Sequence, residues 1–307
     1  MLNRAIMLTL AAPLALGACM IISEEREPVR RVEVVEVERL VPQTADPSVT
    51  TTAGATIHHD VIYGHHDGMA NVYDVIRPAN ANGSAVLYMV SGGWVSRWAA
   101  PETRLNQFKA LLDAGITVIP VHHGSAPRFK VPEAHADVKR ALRHISLNAS
   151  KYGIDAKRLG VFGGSAGGHL SLMLGLNGDD GDPAAEDPVL RGAARIKAVV
   201  AYYPPVDLRR MTGPNDRFPA LDFPVDQAAG ISPILFVDAK DPATLIVHGD
   251  ADELVPLSSG QSIHDALKAA NVKTNLVVIK GGDHGFSEPT HRAEAYAAMA
   301  KWFSENL

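Results

Sequence analysis

Between Arg158 and Leu170 the chain reads RLGVFGGSAGGHL: a short apolar run, a serine set among glycines and alanine, then apolar residues again. Glycine stands where the backbone must take a conformation that a side chain forbids, or where another group comes close. Gly163-Gly164-Ser165-Ala166-Gly167 falls between an apparent strand and an apparent helix. That G-x-S-x-G spacing fits a sharp turn that lifts a hydroxyl above the strand end, while the glycines remove clashes with strand and helix. The free N–H groups at the helix start favour negative charge developing beside the serine. A bare G-x-S-x-G arises by chance in any glycine-rich connection; the strand before it and the helix after it give it weight.

The rest of the chain supplies that context. Strands are predicted at 71–78 (NVYDVIRP), 85–90 (AVLYMV), 116–121 (ITVIPV), 158–163 (RLGVFG), 196–203 (IKAVVAYY), 243–249 (ATLIVHG) and 274–280 (TNLVVIK). Helices are predicted at 102–115, 131–153, 165–176, 258–270 and 290–307, the first two from apolar residues at helical spacing. Apolar strands interleaved with amphipathic helices indicate an α/β fold, a mostly parallel sheet covered on both faces. A hydrophobic content of 46% over 307 residues is enough for a sizeable core. The net charge of -5, with no long basic block, argues against nucleic acid as a partner.

A serine hydroxyl is a weak nucleophile and needs a base, which needs an orienting carboxylate. On a sheet of this kind the expected chain order is Ser, then Asp or Glu, then His. ATLIVHGDADELVP offers Asp250, Asp252 and Glu253 in one loop; VVIKGGDHGF offers His284 among Gly281, Gly282 and Gly285. Both loops follow strand C-termini, where such sheets place their ligand crevices. Asp252 is the first choice of acid and Asp250 the second, and spacing alone does not separate them. Stabilising an oxyanion requires backbone donors. Ala166 is one by position, and the loop Ser91-Gly92-Gly93-Trp94 supplies the other through Gly92 or Gly93. Trp94 and Trp98 flank this loop, either packed in the core or walling a small acyl or sugar-linked site. The stretch 209–242 is irregular and is expected to contribute to a lid or acyl pocket. Adjacent histidines at 58–59, 65–66 and 122–123 point to opposite faces of a strand and so grip one ion poorly. They read as structural or surface residues, His169 as a packing residue, and no metal or cofactor is expected.

The N-terminus carries a different signal. Arg4, an apolar run from 5 to 22 and small residues before Cys19, the single cysteine, follow the plan of a secretory signal. Leu16-Gly17-Ala18-Cys19 resembles a bacterial lipobox, in which the cysteine thiol is lipidated and becomes the new N-terminus. The competing reading is an uncleaved anchor helix. Both put the body outside the cytoplasm, because Arg4 stays inside. The expected organisation is a signal peptide at 1–18, a lipidated N-terminus and tether at 19–54, and one α/β body at 55–307. The expected location is the cell envelope, facing the periplasm and held to a membrane, the outer one ahead of the inner.

Together SAGGHL, YYPPVDL (202–208), HGDADELVP and DHGF resemble the α/β-hydrolase fold. More narrowly, the chain is similar to the esterase branch with hormone-sensitive-lipase-like and feruloyl or acetyl-xylan esterase-like proteins, from about Ile57 onward. The resemblance implies Ser165, Asp252 and His284 as a triad, the acid lying four residues after the His of HG. It also marks a departure: aligned on Trp94, Val90 and Ser91 stand where the family has His and the first Gly of its H-G-G-G-W loop. The implied activity is hydrolysis of short-chain carboxylic esters, small or saccharide-linked. The alternatives are a peptidase of the prolyl-oligopeptidase type, which usually carries a large propeller domain for which these residues leave no room, and a non-catalytic envelope binding protein on the same fold.

Overall fold

The computed structural model describes residues 49–307 apart from residue 53. Cys19, the apolar run before it and the segment 23–48 lie outside the described residues.

One nine-stranded sheet organises the body. Its strands are β1 (Val49–Thr52), β2 (Ala55–His66), β3 (Met69–Pro78), β4 (Ala85–Met89), β5 (Thr117–Val121), β6 (Leu159–Gly164), β7 (Ala198–Tyr202), β8 (Ala243–Gly249) and β9 (Thr274–Ile279). Their spatial order is β1-β2-β3-β5-β4-β6-β7-β8-β9. The first three strands pair antiparallel, as does β3 with β5; every pair from β5 to β9 is parallel. The predicted strands are all present. The sequence reading missed β2, and β1 occupies part of the expected tether.

The helices are α1 (Leu105–Asp113), α2 (Val131–Asn148), α3 (Ala166–Leu176), α4 (Leu257–Ala269) and α5 (Pro289–Asn306). They divide between the two faces, which is why the parallel strands are apolar on both sides. Phe108 and Leu111 of α1 pack with Met299, Trp302 and Phe303 of α5 against Val86 and Phe162. On the other face Val138 and Leu142 of α2, Leu170 of α3 and Ile263 of α4 cover Leu87, Val161 and Val199. Along β6, Leu159 and Val161 face one layer and Phe162 the other, the period-2 alternation that a two-sided sheet imposes. Burying one such side chain contributes about 1.5–3 kcal/mol. Glu133 Oε2 accepts the Lys130 N–H at 2.6 Å and satisfies a donor left over at the start of α2. The stretch 209–242 forms three 3₁₀ turns, at Pro219–Leu221, Val225–Ile231 and Pro233–Leu235.

Buried histidines make this fold sensitive to acid. Burial holds His122 and His169 down at about 4 and His135 at about 3, each below the ordinary 6.5. Arg104 also lowers His122, and Lys139 also lowers His135. These rings are neutral in the fold, so between pH 6.5 and 4 the unfolded chain binds more protons and stability falls with pH. Asp74 and Asp241, raised to about 6 by burial, act in the opposite sense with smaller shifts. The melting temperature is therefore expected to drop as pH is lowered from 7 to 4. For His169 alone the effect is on the order of 3 kcal/mol. Thermal melts across that range check it, and His169→Gln, with a lower starting Tm, should show a shallower slope.

Candidate active site

Ser165 sits between β6 and α3 with φ +54° and ψ −118°, a left-handed backbone that a side chain rarely adopts. Such a conformation costs about 1–3 kcal/mol and persists only where its surroundings hold it. Here the Ser165 N–H donates to Tyr202 O at 2.9 Å, and its carbonyl accepts the His169 N–H at 2.9 Å. Strand and helix meet so closely that a Cβ on Gly163 would lie 2.6 Å from the Gly167 carbonyl. One on Gly167 would lie 2.8 Å from Met89 O.

The loop after β8 carries both candidate acids, and they do different things. Asp252 Oδ2 accepts from His284 Nδ1 at 2.8 Å. Its Oδ1 accepts the Leu254 and Val255 N–H groups, each at 2.9 Å, and the carboxylate is fully buried. His248 Nε2 lies 3.5 Å from Oδ2, but its proton goes to Val255 O at 2.8 Å. Asp250 Oδ1 instead accepts the Gly281 N–H at 2.6 Å and ties this loop to the one after β9. The Ala251 N–H adds a second tie to Gly282 O at 3.0 Å.

Ser165 and His284 line one cavity of about 250 Å³, with Tyr88, Tyr203, Phe286 and Arg292 on its walls. Among the described residues no hydrogen bond joins Ser165 Oγ to the ring; such contacts commonly tighten only once substrate is bound. The Tyr203 ring lies 4.6 Å from that of His284, centroid to centroid.

The loop after β4 corrects one expectation. The Gly92 N–H donates to Val95 O at 3.1 Å, and the Val95 N–H returns a bond to Gly92 O. The Gly92 amide is thereby spent, although the residue lines the cavity. Gly93 follows at φ +58° and Trp94 at φ +57°. Among the described residues, the Gly93 and Ala166 amides donate to no other protein group.

Neither tryptophan lines the cavity. Trp94 is buried, and its Nε1 donates to His169 Nδ1 at 3.3 Å, while His169 Nε2 donates to Ile231 O at 2.7 Å. Trp98 is 58% exposed and donates to Asp60 Oδ1 at 2.9 Å. The aromatic wall is built from Tyr88, Tyr203, Phe286 and Tyr296, which the sequence reading did not assign to the site. The one available signal was the tyrosine pair of YYPPVDL, at the C-terminal end of a predicted strand. The stretch 209–242 also contributes nothing to this cavity. It backs the loop instead: Ile231 O holds His169, and the Phe218 ring packs within 3.1 Å of where a Gly93 Cβ would stand.

Ser91 has acquired its own support. His123 Nδ1 lies 2.7 Å from Gly124 O, which can only accept, so Nδ1 carries the proton. Burial lowers the ring's pKa and keeps it neutral, leaving Nε2 to accept from Ser91 Oγ at 2.9 Å. The other ring of the pair, His122, meets Ser96 Oγ at 3.1 Å.

A mostly parallel sheet flanked by helices, with a serine on a left-handed strand–helix turn and a buried Asp–His pair beyond the next strands, is the α/β-hydrolase fold. The chain belongs to the BD-FAE family, whose model matches residues 73–267. It is 31% identical to "Esterase LipC" of Mycobacterium tuberculosis over 74% of this chain and 59% of that protein. It is 28% identical to "Esterase LipQ" of the same organism over 74% of this chain and 56% of that one. The chain thus spans little more than half the length of these curated relatives. Among solved structures it is similar to a truncated carbohydrate esterase from gut microbiota. That match has a TM-score of 0.69 and 27% identity, covering 85% of this chain and 98% of that one.

The backbone contact at the turn gives a direct test. Gly163→Ala forces a methyl group into the Gly167 carbonyl and is expected to cost about 1–3 kcal/mol. The midpoint of urea unfolding should fall accordingly, with the slope unchanged.

Proposed function

We propose that the protein is a serine hydrolase of short-chain carboxylic esters. Ser165 is its nucleophile, His284 the base and Asp252 the orienting acid. The observation that carries this reading is the 2.8 Å bond from His284 Nδ1 to a fully buried Asp252, on the cavity that holds Ser165. With its proton on Nδ1, the ring presents Nε2 as an acceptor. Ser165 Oγ attacks the ester carbonyl carbon while His284 Nε2 takes the hydroxyl proton. The Gly93 and Ala166 amides, which have no other acceptor among the described residues, stabilise the oxyanion. The tetrahedral intermediate collapses as His284 returns the proton to the leaving alkoxide, freeing the alcohol and leaving an acyl-Ser165. Water, deprotonated by His284, then releases the acid and regenerates the hydroxyl.

A cavity of about 250 Å³ is small for a ligand site and supports short acyl groups over long ones. The similarity to a carbohydrate esterase supports an acylated saccharide as substrate. The signal-like N-terminus supports attachment to the cell envelope through a lipidated Cys19.

Ser165→Ala and His284→Ala are each expected to lower kcat/KM on p-nitrophenyl acetate by about 10⁴-fold or more, with the double variant little worse than either single. A fluorophosphonate should label Ser165 in the native protein. Turnover retained in folded Ser165→Ala would refute the assignment. Asp252→Asn should lose far more activity than Asp250→Asn, since only the former reverses the bond that sets the imidazole tautomer. The reverse ranking would move the role to Asp250. In a series of p-nitrophenyl esters kcat/KM should peak at two to four acyl carbons, about the length the small cavity admits, and a maximum at long chains would overturn the size argument.

A further inference from the structure

One residue of the cavity wall has no part in that mechanism. Among the described residues Arg292 is the only one lining the cavity that carries a permanent charge. It stands in the first turn of α5, where a cation opposes the helix dipole rather than stabilising the helix. Its Nε donates to Phe286 O at 3.2 Å and its Nη2 to Ser287 O at 2.9 Å. Those carbonyls belong to the loop that carries His284, so the guanidinium is held in place. Among the described residues no carboxylate comes within 4 Å of it. An arginine has five N–H donors, and the two carbonyls leave its Nη1 group unengaged.

A second cation stands behind the same wall. The Arg104 guanidinium lies 5.7 Å from the centroid of the Tyr88 ring, itself a cavity residue. Among the described residues its Nη2 reaches only the carbonyl of Arg97, at 3.4 Å, and its buried Nε has no partner. The acid nearest the reacting centre, Asp252, is fully buried and already paired with His284. Among the described residues, two guanidiniums with no carboxylate within 4 Å thus stand at one wall of the cavity.

On the ester-hydrolase reading above, we infer that the cavity selects esters whose alcohol half carries a carboxylate, such as O-acyl hydroxy acids or O-acyl sugar acids, with Arg292 as the residue that receives it. The side follows from the loop. His284 hands its proton to the leaving oxygen, and Arg292 is fastened to the carbonyls two and three residues beyond His284. A planar guanidinium matches a carboxylate through two parallel N–H···O bonds, and the neighbouring tyrosines give a ring-bearing alcohol a surface to lie on.

The test compares 4-carboxyphenyl acetate with its neutral isostere 4-carbamoylphenyl acetate, each rate divided by that for hydroxide in free solution. In the wild type the charged ester should be preferred in kcat/KM by roughly tenfold, and the preference should shrink with added salt because Arg292 is solvent-accessible. In Arg292→Gln the charged-to-neutral ratio should collapse towards one, mainly through KM. Arg292→Lys, which keeps the charge but loses the paired geometry, should retain part of it. Using the ratio removes any general loosening of the His284 loop from the comparison, and the wild-type salt dependence stands even if a variant fails to fold. Hydrolysis of both esters without preference, or a preference that survives Arg292→Gln, overturns the inference while leaving the esterase reading intact. Failure of the folded wild type to cleave either ester, or p-nitrophenyl acetate, removes the esterase reading and this inference with it.

Discussion

The left-handed turn at Ser165 is the point on which the site depends. It requires that β6 and α3 approach until Gly163 and Gly167 touch backbone to backbone, and that β7 lie alongside to accept the Ser165 N–H. The neighbouring parts are arranged by the same crowding. A Cβ on Gly164 would fall 2.6 Å from the Tyr203 hydroxyl, so the absence of a side chain there lets Tyr203 reach the cavity beside His284. Tyr203 itself sits at φ +36° at the end of β7, a second strained residue one strand over. One turn into α3, His169 fastens Trp94 and thereby the loop that carries the Gly93 amide.

Asp252 and His284 are joined by two loops latched to each other. Asp252 spends one oxygen on two backbone amides of its own loop and the other on His284, so the carboxylate is oriented before the imidazole arrives. Asp250 and Ala251 bind the backbone of the opposite loop. Burying a carboxylate is costly unless its oxygens are satisfied, and here both are. A pair of acids two residues apart has thus divided the work, one holding the ring and one holding the loop that presents the ring.

Much of this was legible in the residues. The serine turn, the order Ser–Asp–His and the parallel strands follow from local patterns a few residues long. Asp250 and Asp252 were not separable by spacing, because they differ only in which neighbour each oxygen meets across 31 or 32 residues of chain. The same distance in sequence hid the Ser91–His123 bond. The tryptophans drew attention by adjacency to the glycine loop, yet Trp94 takes a left-handed conformation and turns inward to His169 while Trp98 faces solvent. Strand β2 escaped notice because ATIHHDVIYGHH is rich in histidine and its pairing with β3 shifts register twice, which breaks the alternation that marks a strand. Arg292 carries no local signal, because its two partners are carbonyls of the loop after β9 rather than neighbours on its own helix.

The placement of β1 has a mechanical consequence. Four residues long and mostly exposed, it joins the outer edge of the sheet through antiparallel pairs with β2, seven strands away from β8, which leads to Asp252. With neighbouring strands about 4.8 Å apart, that is roughly 34 Å across the sheet. A pull on the chain ahead of Val49 therefore loads the Val49–His58 pair first and opens the ladder one rung at a time, since a strand peeled from its end breaks its bonds in succession rather than together. The long β2–β3 hairpin takes the strain next, before any parallel strand is loaded. The edge hairpins thus yield before the parallel strands that lead to Ser165 and His284.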